Sequence, residues 1–182
     1  VFLHGRGSGG SDNEKQLLSV PRKLTSKGFY KDNPSFLIAP QCPDDNKGWR
    51  GGYIDDVIKL IKQAIEHLPV DKNRIYITGV SMGGFGTWEA LSIAPELFAA
   101  AVPICGGGDP AQAANLNNVN IWAWHGKEDT VIDISKSQLM VSAIKKQKGN
   151  IRFTELKTRG HDSWLDVWNS KELWRWLYNQ RK

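Results

Sequence analysis

The sequence predicts an α/β protein, with a mostly parallel β-sheet flanked by helices, forming one domain over residues 1–182. Two patterns carry that expectation. Short β-branched or apolar runs alternate along the chain with longer segments of helical periodicity. Most of these runs stop at Gly, Pro or His, as buried parallel strands do where they enter loops.

The first run, residues 1–3, gives way to a Gly-rich stretch, Leu3-His4-Gly5-Arg6-Gly7-Ser8-Gly9-Gly10. This abrupt start reads as the middle of a buried strand, with further sequence expected upstream, where a signal peptide would also lie. Residues 13–19 form a first helical stretch, and Pro21 opens a second turn or helix through residue 27. A second strand is expected at 35–39. Residues 53–68 then place Ile54, Val57, Ile58, Ile61 and Ile65 on one helix face, and Pro69 ends it. A strand at 74–78 leads into a helix at 82–93, bounded by Pro95, and a further strand follows at 99–104. Residues 106–119 are polar and rich in Gly, Ala and Asn, and read as a loop beside the site. A strand at 120–124 precedes a helix at 135–148, which turns Leu139, Met140, Ala143 and Ile144 toward the core before Gly149 closes it. The last strand is 151–156 and the last helix 170–179. All connections are short, so no large lid is inserted.

Composition narrows the class. Hydrophobic residues at 40% and charged residues at 24% fit an ordinary soluble globular protein, and no apolar run is long enough to span a membrane. The formal charge of +5 is spread along the chain apart from Lys145, Lys146 and Lys148, a solvated helix face rather than a nucleic-acid footprint. Cys42 and Cys105 both follow predicted strands. In the sheet order implied by the family resemblance given below, two strands lie between those, a separation of about 14 Å that is out of disulfide reach, and two free buried thiols are expected. The compartment, cytoplasmic or secreted, is not specified by the sequence.

The chemistry concentrates at Gly79-Val80-Ser81-Met82-Gly83, between a predicted strand and a predicted helix. A serine on that sharp turn is presented above the sheet, with the positive end of a helix behind it. A hydroxyl needs a base to become a nucleophile. Of the four histidines, His67 lies near a helix end, and His4 and His125 each precede a glycine at a strand end, where loop hydrogen bonding explains them. His161 lies between the last strand and the last helix and is the candidate base. The orienting acid belongs between Ser and His in chain order. Asp129 is chosen on loop position over Glu128, Asp133 and Asp109. An oxyanion would need two N–H donors, assigned to Met82 and to Arg6, with Gly5 as the alternative for the second. The Gly-rich loop lacks the Lys-Ser/Thr pair and the spacing of a phosphate-binding loop. No metal or cofactor is called for.

Several segments together resemble a known group. They are residues 3–17, Ala39-Pro40-Gln41-Cys42-Pro43, the run GVSMGGFGT from Gly79 to Thr87, Pro103-Ile104-Cys105-Gly106-Gly107-Gly108, His125-Gly126-x-x-Asp129 and Gly160-His161-Asp162-Ser163-Trp164. In this order they resemble compact bacterial esterases related to prolyl-oligopeptidase-like and feruloyl-esterase-like α/β-hydrolases. The resemblance implies the α/β-hydrolase fold, with N-terminal strands of the family absent and about six strands in place of about eight. In the family's sheet order the strand ending at Ala39 lies outside the one ending at Leu3, and the nucleophile falls near the topological switch. It also implies ester hydrolysis through an acyl-enzyme, with Ser81 as nucleophile, Asp129 as acid and His161 as base. The expected partner is a small-molecule ester, small or aryl, including feruloyl-type. Gln41, Trp49 and Trp164 are the candidate substrate contacts, and Trp168, Trp174 and Trp176 are expected to pack on the sheet. A serine peptidase of the prolyl-oligopeptidase-like type and a non-catalytic binding module on the same fold are the alternatives.

Overall fold

The computed structural model describes every residue except Ser19. Five strands form one parallel sheet in sequence order: β1 (Phe2–Leu3), β2 (Tyr76–Val80), β3 (Ala100–Ile104), β4 (Asn120–Gly126) and β5 (Ile151–Leu156). The register pairs Leu3 with Gly79, Val80 with Ile104, Ile104 with Trp124 and Gly126 with Leu156. The C-terminal ends of the strands are therefore level, and the loops that leave them share one rim of the sheet.

Seven α-helices accompany the sheet among the described residues. They are α1 (Val20–Leu24), α2 (Lys27–Asp32), α3 (Gly52–His67), α4 (Met82–Ile93), α5 (Ser135–Lys146), α6 (Trp164–Asn169) and α7 (Lys171–Tyr178). A sheet whose parallel strands follow in order, joined by right-handed crossovers, sends its crossover helices to one face. The packing agrees: Ile54, Val57 and Ile61 of α3, Trp88 and Leu91 of α4, and Met140 and Ile144 of α5 share one core with Ile77, Ala101, Ile121 and Ala123. The opposite face packs Phe2, Val80, Val102, Trp122 and Trp124 against Val20, Val167, Trp168, Leu173, Trp174 and Leu177. Alternate residues of β3 and β4 thus serve opposite cores, the period-two signature hidden inside runs that are apolar throughout.

The second face is rich in aromatics, as the C-terminal tryptophans suggested. Trp168 and Trp174 stack at 5.6 Å, Trp122 and Trp124 at 5.0 Å, and Trp176 meets Trp122 edge-on at 5.3 Å. The Trp174 indole N–H donates to Trp168 O, so burying its ring leaves no unpaired donor there. Cys42 and Cys105 are free, buried thiols. No helix among the described residues is long and apolar enough to cross a membrane.

Several sequence-based boundaries need correction. Residues 35–39 run beside β1 without forming a strand. One bond joins them, Phe2 N–H to Ile38 O, because β1 is two residues long and Pro34 and Pro40 offer no N–H. The expected sixth strand is therefore absent, and the five hydrogen-bonded strands show no reversal of order at the nucleophile. The expected helix at 13–19 is a 3-10 turn, Lys15–Leu17, with its last position outside the described residues, and the helix at 21–27 divides into α1 and α2. β2 lies two residues later than expected and runs directly into Ser81. Residues 106–119, expected as a loop, contain the 3-10 helix Pro110–Leu116, whose Ala113 and Leu116 are buried. Leu139, expected in the core, is exposed, while Met140 and Ile144 carry the packing of α5. α6 was not anticipated at all.

Candidate active site

Ser81 sits between β2 and α4 with φ 53° and ψ −115°, a strained conformation for a residue with a Cβ. Its neighbours hold it there. Ser81 N–H donates to Ile104 O at 2.9 Å, and Ser81 O accepts from Phe85 N–H at 3.0 Å. The turn is tight enough that a methyl group on Gly83 would lie 1.9 Å from Leu3 O, so β1 and the start of α4 can approach only through glycine. The strand-to-helix geometry lifts the Ser81 hydroxyl above the rim.

The β5–α6 loop brings His161 to it. His161 Nε2 lies 2.9 Å from Ser81 Oγ, and Nδ1 lies 2.7 Å from Asp129 Oδ2. An ionised carboxylate can only accept, which assigns the ring proton to Nδ1 and leaves the Nε2 lone pair for the Ser81 hydroxyl proton. Asp129 Oδ1 accepts from the N–H groups of Val131 and Ile132, each at 2.9 Å, so the loop after β4 fixes its own acid. Burial pushes this carboxyl upward, but the bonds from Ile132, His161 and Val131 outweigh that push and leave its pKa below the usual value. The acid and base loops touch through backbone. Glu128 N–H donates to Arg159 O at 2.9 Å, and a methyl on Gly126 would lie 2.2 Å from Gly160 O. Arg159 braces the base loop with two bonds to the Asp166 carboxylate, at 2.7 and 2.8 Å. The other acids considered are placed elsewhere. Glu128 is exposed, Asp133 accepts from Ser135 N–H, and Asp109 caps Ala111 N–H.

Ser81 and His161 face a cavity of about 810 Å³ whose wall includes Gly5, Arg6, Lys47, Trp49, Arg50, Met82, Phe85, Val131 and Trp164. Both N–H groups assigned to the oxyanion, those of Met82 and Arg6, lie on this wall and have no acceptor among the described residues. Gly7 N–H, next along the loop, is taken by Asp45 Oδ2 at 2.7 Å. Trp164 stands edge-on to the His161 ring, centroids 5.4 Å apart, and lines the cavity. Trp49 also borders it, but its indole is buried, donates to His4 O and packs against the His4 ring, so it supports the wall more than it presents a surface. Gln41 is not brought to the cavity. Its amide N–H groups reach Ser8 O and Asp12 Oδ1 and its oxygen accepts from Asn13 N–H, a clamp on the Gly-rich loop.

Two further histidines are more engaged than the sequence reading suggested. His4 is buried. Its Nε2 accepts from Cys42 N–H at 2.9 Å while Nδ1 bonds Gly5 O at 2.8 Å. His125, at the end of β4, is also buried, and its ring touches Asp129, Ile132 and Ser137. The sequence reading assigned both to loop hydrogen bonding; the partners it did not name are Cys42 N–H for His4 and Asp129, Ile132 and Ser137 for His125. Cys105 Sγ, a ring nitrogen of His125 and an Asp129 oxygen lie within 4.8 Å of one another, the one grouping of metal-ligand type among the described residues. It makes a poor metal centre. Burial raises the Cys105 thiol to about 11, and Asp129 already accepts from three N–H donors, those of Val131, Ile132 and His161.

The sequence profile of the phospholipase/carboxylesterase family matches residues 38–170. A crystal structure of a thermostable esterase superposes with a TM-score of 0.92 at 35% identity, over 100% of this chain and 54% of that one. Acetylxylan esterase A of Aspergillus awamori is 25% identical in an alignment 118 residues long, covering 54% of this chain and 39% of that protein. A solved structure of FAE shares the fold with a TM-score of 0.70 at 17% identity, over 92% of this chain and 72% of that one. The chain spans about half the length of the thermostable esterase and about two-fifths of the acetylxylan esterase. With the matched segment running from the edge of β1 through the Ser81 turn to α6, the chain belongs to the phospholipase/carboxylesterase family and has the α/β-hydrolase fold.

Proposed function

We propose that this protein hydrolyses carboxylic esters through an acyl-enzyme, with Ser81 as nucleophile, His161 as general base and acid, and Asp129 as the acid that orients and stabilises the imidazolium. One observation carries the reading: the unbroken relay of 2.9 Å from Ser81 Oγ to His161 Nε2 and 2.7 Å from His161 Nδ1 to Asp129, opening on a cavity. In the first half-reaction Ser81 Oγ attacks the ester carbonyl carbon as its proton passes to His161 Nε2. The Met82 and Arg6 N–H groups donate to the resulting oxyanion, and the positive end of α4 adds to their effect. The tetrahedral species collapses with cleavage of the C–O bond, and the imidazolium returns the proton to the departing alcohol. Water then attacks the acyl-Ser81 carbonyl with His161 again as base, which releases the acid and restores the hydroxyl.

Small or aryl esters, including feruloyl-type, suit the cavity. Trp164 and Phe85 on its wall offer flat apolar contact to an aromatic acid or alcohol. The relationship to acetylxylan esterase A also supports a small acyl group. The test is turnover of p-nitrophenyl acetate and methyl ferulate by wild type and by Ser81→Ala, with fluorophosphonate labelling of the hydroxyl. Ser81→Ala is expected to lose at least about 10³-fold in kcat and all labelling. Equal turnover by the two proteins rejects the assignment.

A further inference from the structure

The proposed relay does not use His125, yet this imidazole is fully shielded from solvent and lies directly behind Asp129. Nε2 is 2.9 Å from Ile132 O and 3.3 Å from Asp129 Oδ2, the same oxygen that faces His161. A carbonyl and an ionised carboxylate have no proton to give, so Nε2 carries one whether the ring is neutral or charged. The Nε2–H is directed at Ile132 O, while the completely buried Asp129 side chain accepts from the His161 Nδ1–H on Oδ2 and from the Val131 and Ile132 N–H groups on Oδ1. On its other side, His125 Nδ1 lies 2.8 Å from Ser137 Oγ in α5, which lies 2.8 Å from Gly106 O. Gly106 in turn packs on Gly84 and Phe85 at the start of α4, where a methyl would come within 2.5 Å of Gly84 C. The contacts form one tether from the acid loop, through His125 and Ser137, to the helix that presents Ser81.

We propose that His125 is a positioning residue for the reaction. Its Nε2–H holds Ile132 O and so fixes the loop whose Val131 and Ile132 N–H groups orient the Asp129 carboxylate, and its Nδ1 contact with Ser137 ties that loop to the nucleophile turn. It acts through Asp129, never touches substrate, and rests on the triad reading above. An apolar side chain would fill the same space but would leave Ile132 O without that donor and the Asp129 loop without its anchor.

The test is a double-mutant comparison of p-nitrophenyl acetate hydrolysis, with active sites counted by fluorophosphonate labelling. His125→Leu is expected to lower kcat by about 10- to 100-fold with KM within about twofold, the range seen when partners behind a reacting ligand are removed. His125→Gln, which keeps an N–H donor at that reach, should recover most of the loss. In an Asp129→Asn background, His125→Leu should add less than about twofold, because the group it acts through is gone. A loss of the same size in both backgrounds, or no recovery by Gln, would show a packing role only and overturn the proposal. Should His125→Leu fail to fold, Ser137→Ala carries the same comparison: a kcat loss confined to the Asp129 background supports the tether, and an equal loss in both sinks it. Full activity of Asp129→Asn itself would instead remove the triad reading, a different result from any of these.

Discussion

The proposed relay is held partly from within and partly from neighbouring elements: Ser81 by Ile104 O at the end of β3, Asp129 by Val131 and Ile132 of its own loop, and His161 by the Asp129 carboxylate. The three candidates were legible in the sequence by their position instead. A serine on a strand-to-helix turn, an acid after the penultimate strand and a histidine after the last each occupy a position that local pattern can define. Gln41, expected as a substrate contact, is placed away from the cavity, because its partners, Ser8 O, Asp12 and Asn13, come from a loop far from it in sequence. His4 shows what such hidden contacts do. Burial lowers its pKa, and its Nε2 accepts from Cys42 N–H, which an imidazolium could not do. In the unfolded chain the ring titrates near about 6.5, so below that pH the unfolded state binds more protons than the folded one. The His4 contribution to stability is therefore complete above about pH 6.5 and falls away as pH drops through the folded value. Urea midpoints should decline from pH 7.5 toward pH 5, and His4→Gln, whose side-chain oxygen can accept from Cys42 N–H without titrating, should flatten that decline. An identical slope in the variant would place the acid sensitivity elsewhere.

The elements were read from periodicity, and success followed how much of each element its own sequence controls. The 82–93 helix and the 151–156 strand came out residue for residue, since glycines, prolines and apolar spacing bound them. The segment 35–39 has the same apolar character, but a strand needs a partner, and β1 offers two residues. α6 escaped notice because it is six residues long and begins beside the base loop. Its N-terminus is pinned by the buried contact of Ser163 Oγ with Cys105 Sγ, a pairing between distant parts of the chain. The contact of the acid and base loops across Gly126 gives a prediction at this level. Gly126→Ala would place a methyl 2.2 Å from Gly160 O and 2.4 Å from Arg159 O, both backbone atoms. The loops must part, with a stability loss of about 2 kcal/mol or more and a fall in kcat beyond what the unfolded fraction explains, read from thermal melts and turnover together. Arg159→Gln should do much less, within about 1 kcal/mol, because its bridge to Asp166 is largely solvated.

Across the whole molecule, charge and strand order carry further consequences. Arg6, Lys47 and Arg50 line the cavity with no ion-pair partner among the described residues, against the lone acid Asp45 on that wall, and the chain carries a net +5. Esters that bear a carboxylate should therefore be drawn in electrostatically. Their kcat/KM is expected to fall several-fold between about 0.01 and 0.5 M salt, while a neutral ester of similar size changes little. A parallel salt response of both esters would assign the effect to something other than these cations. The strict sequence order of the sheet bears on how the protein is made. As the polypeptide leaves the ribosome, every new strand meets the preceding one already exposed beside it, so pairing needs no threading and no displaced neighbour. His161 lies beyond β5. On the proposed roles, a nascent chain that already carries Ser81 stays inert until β5 and the loop after it have docked.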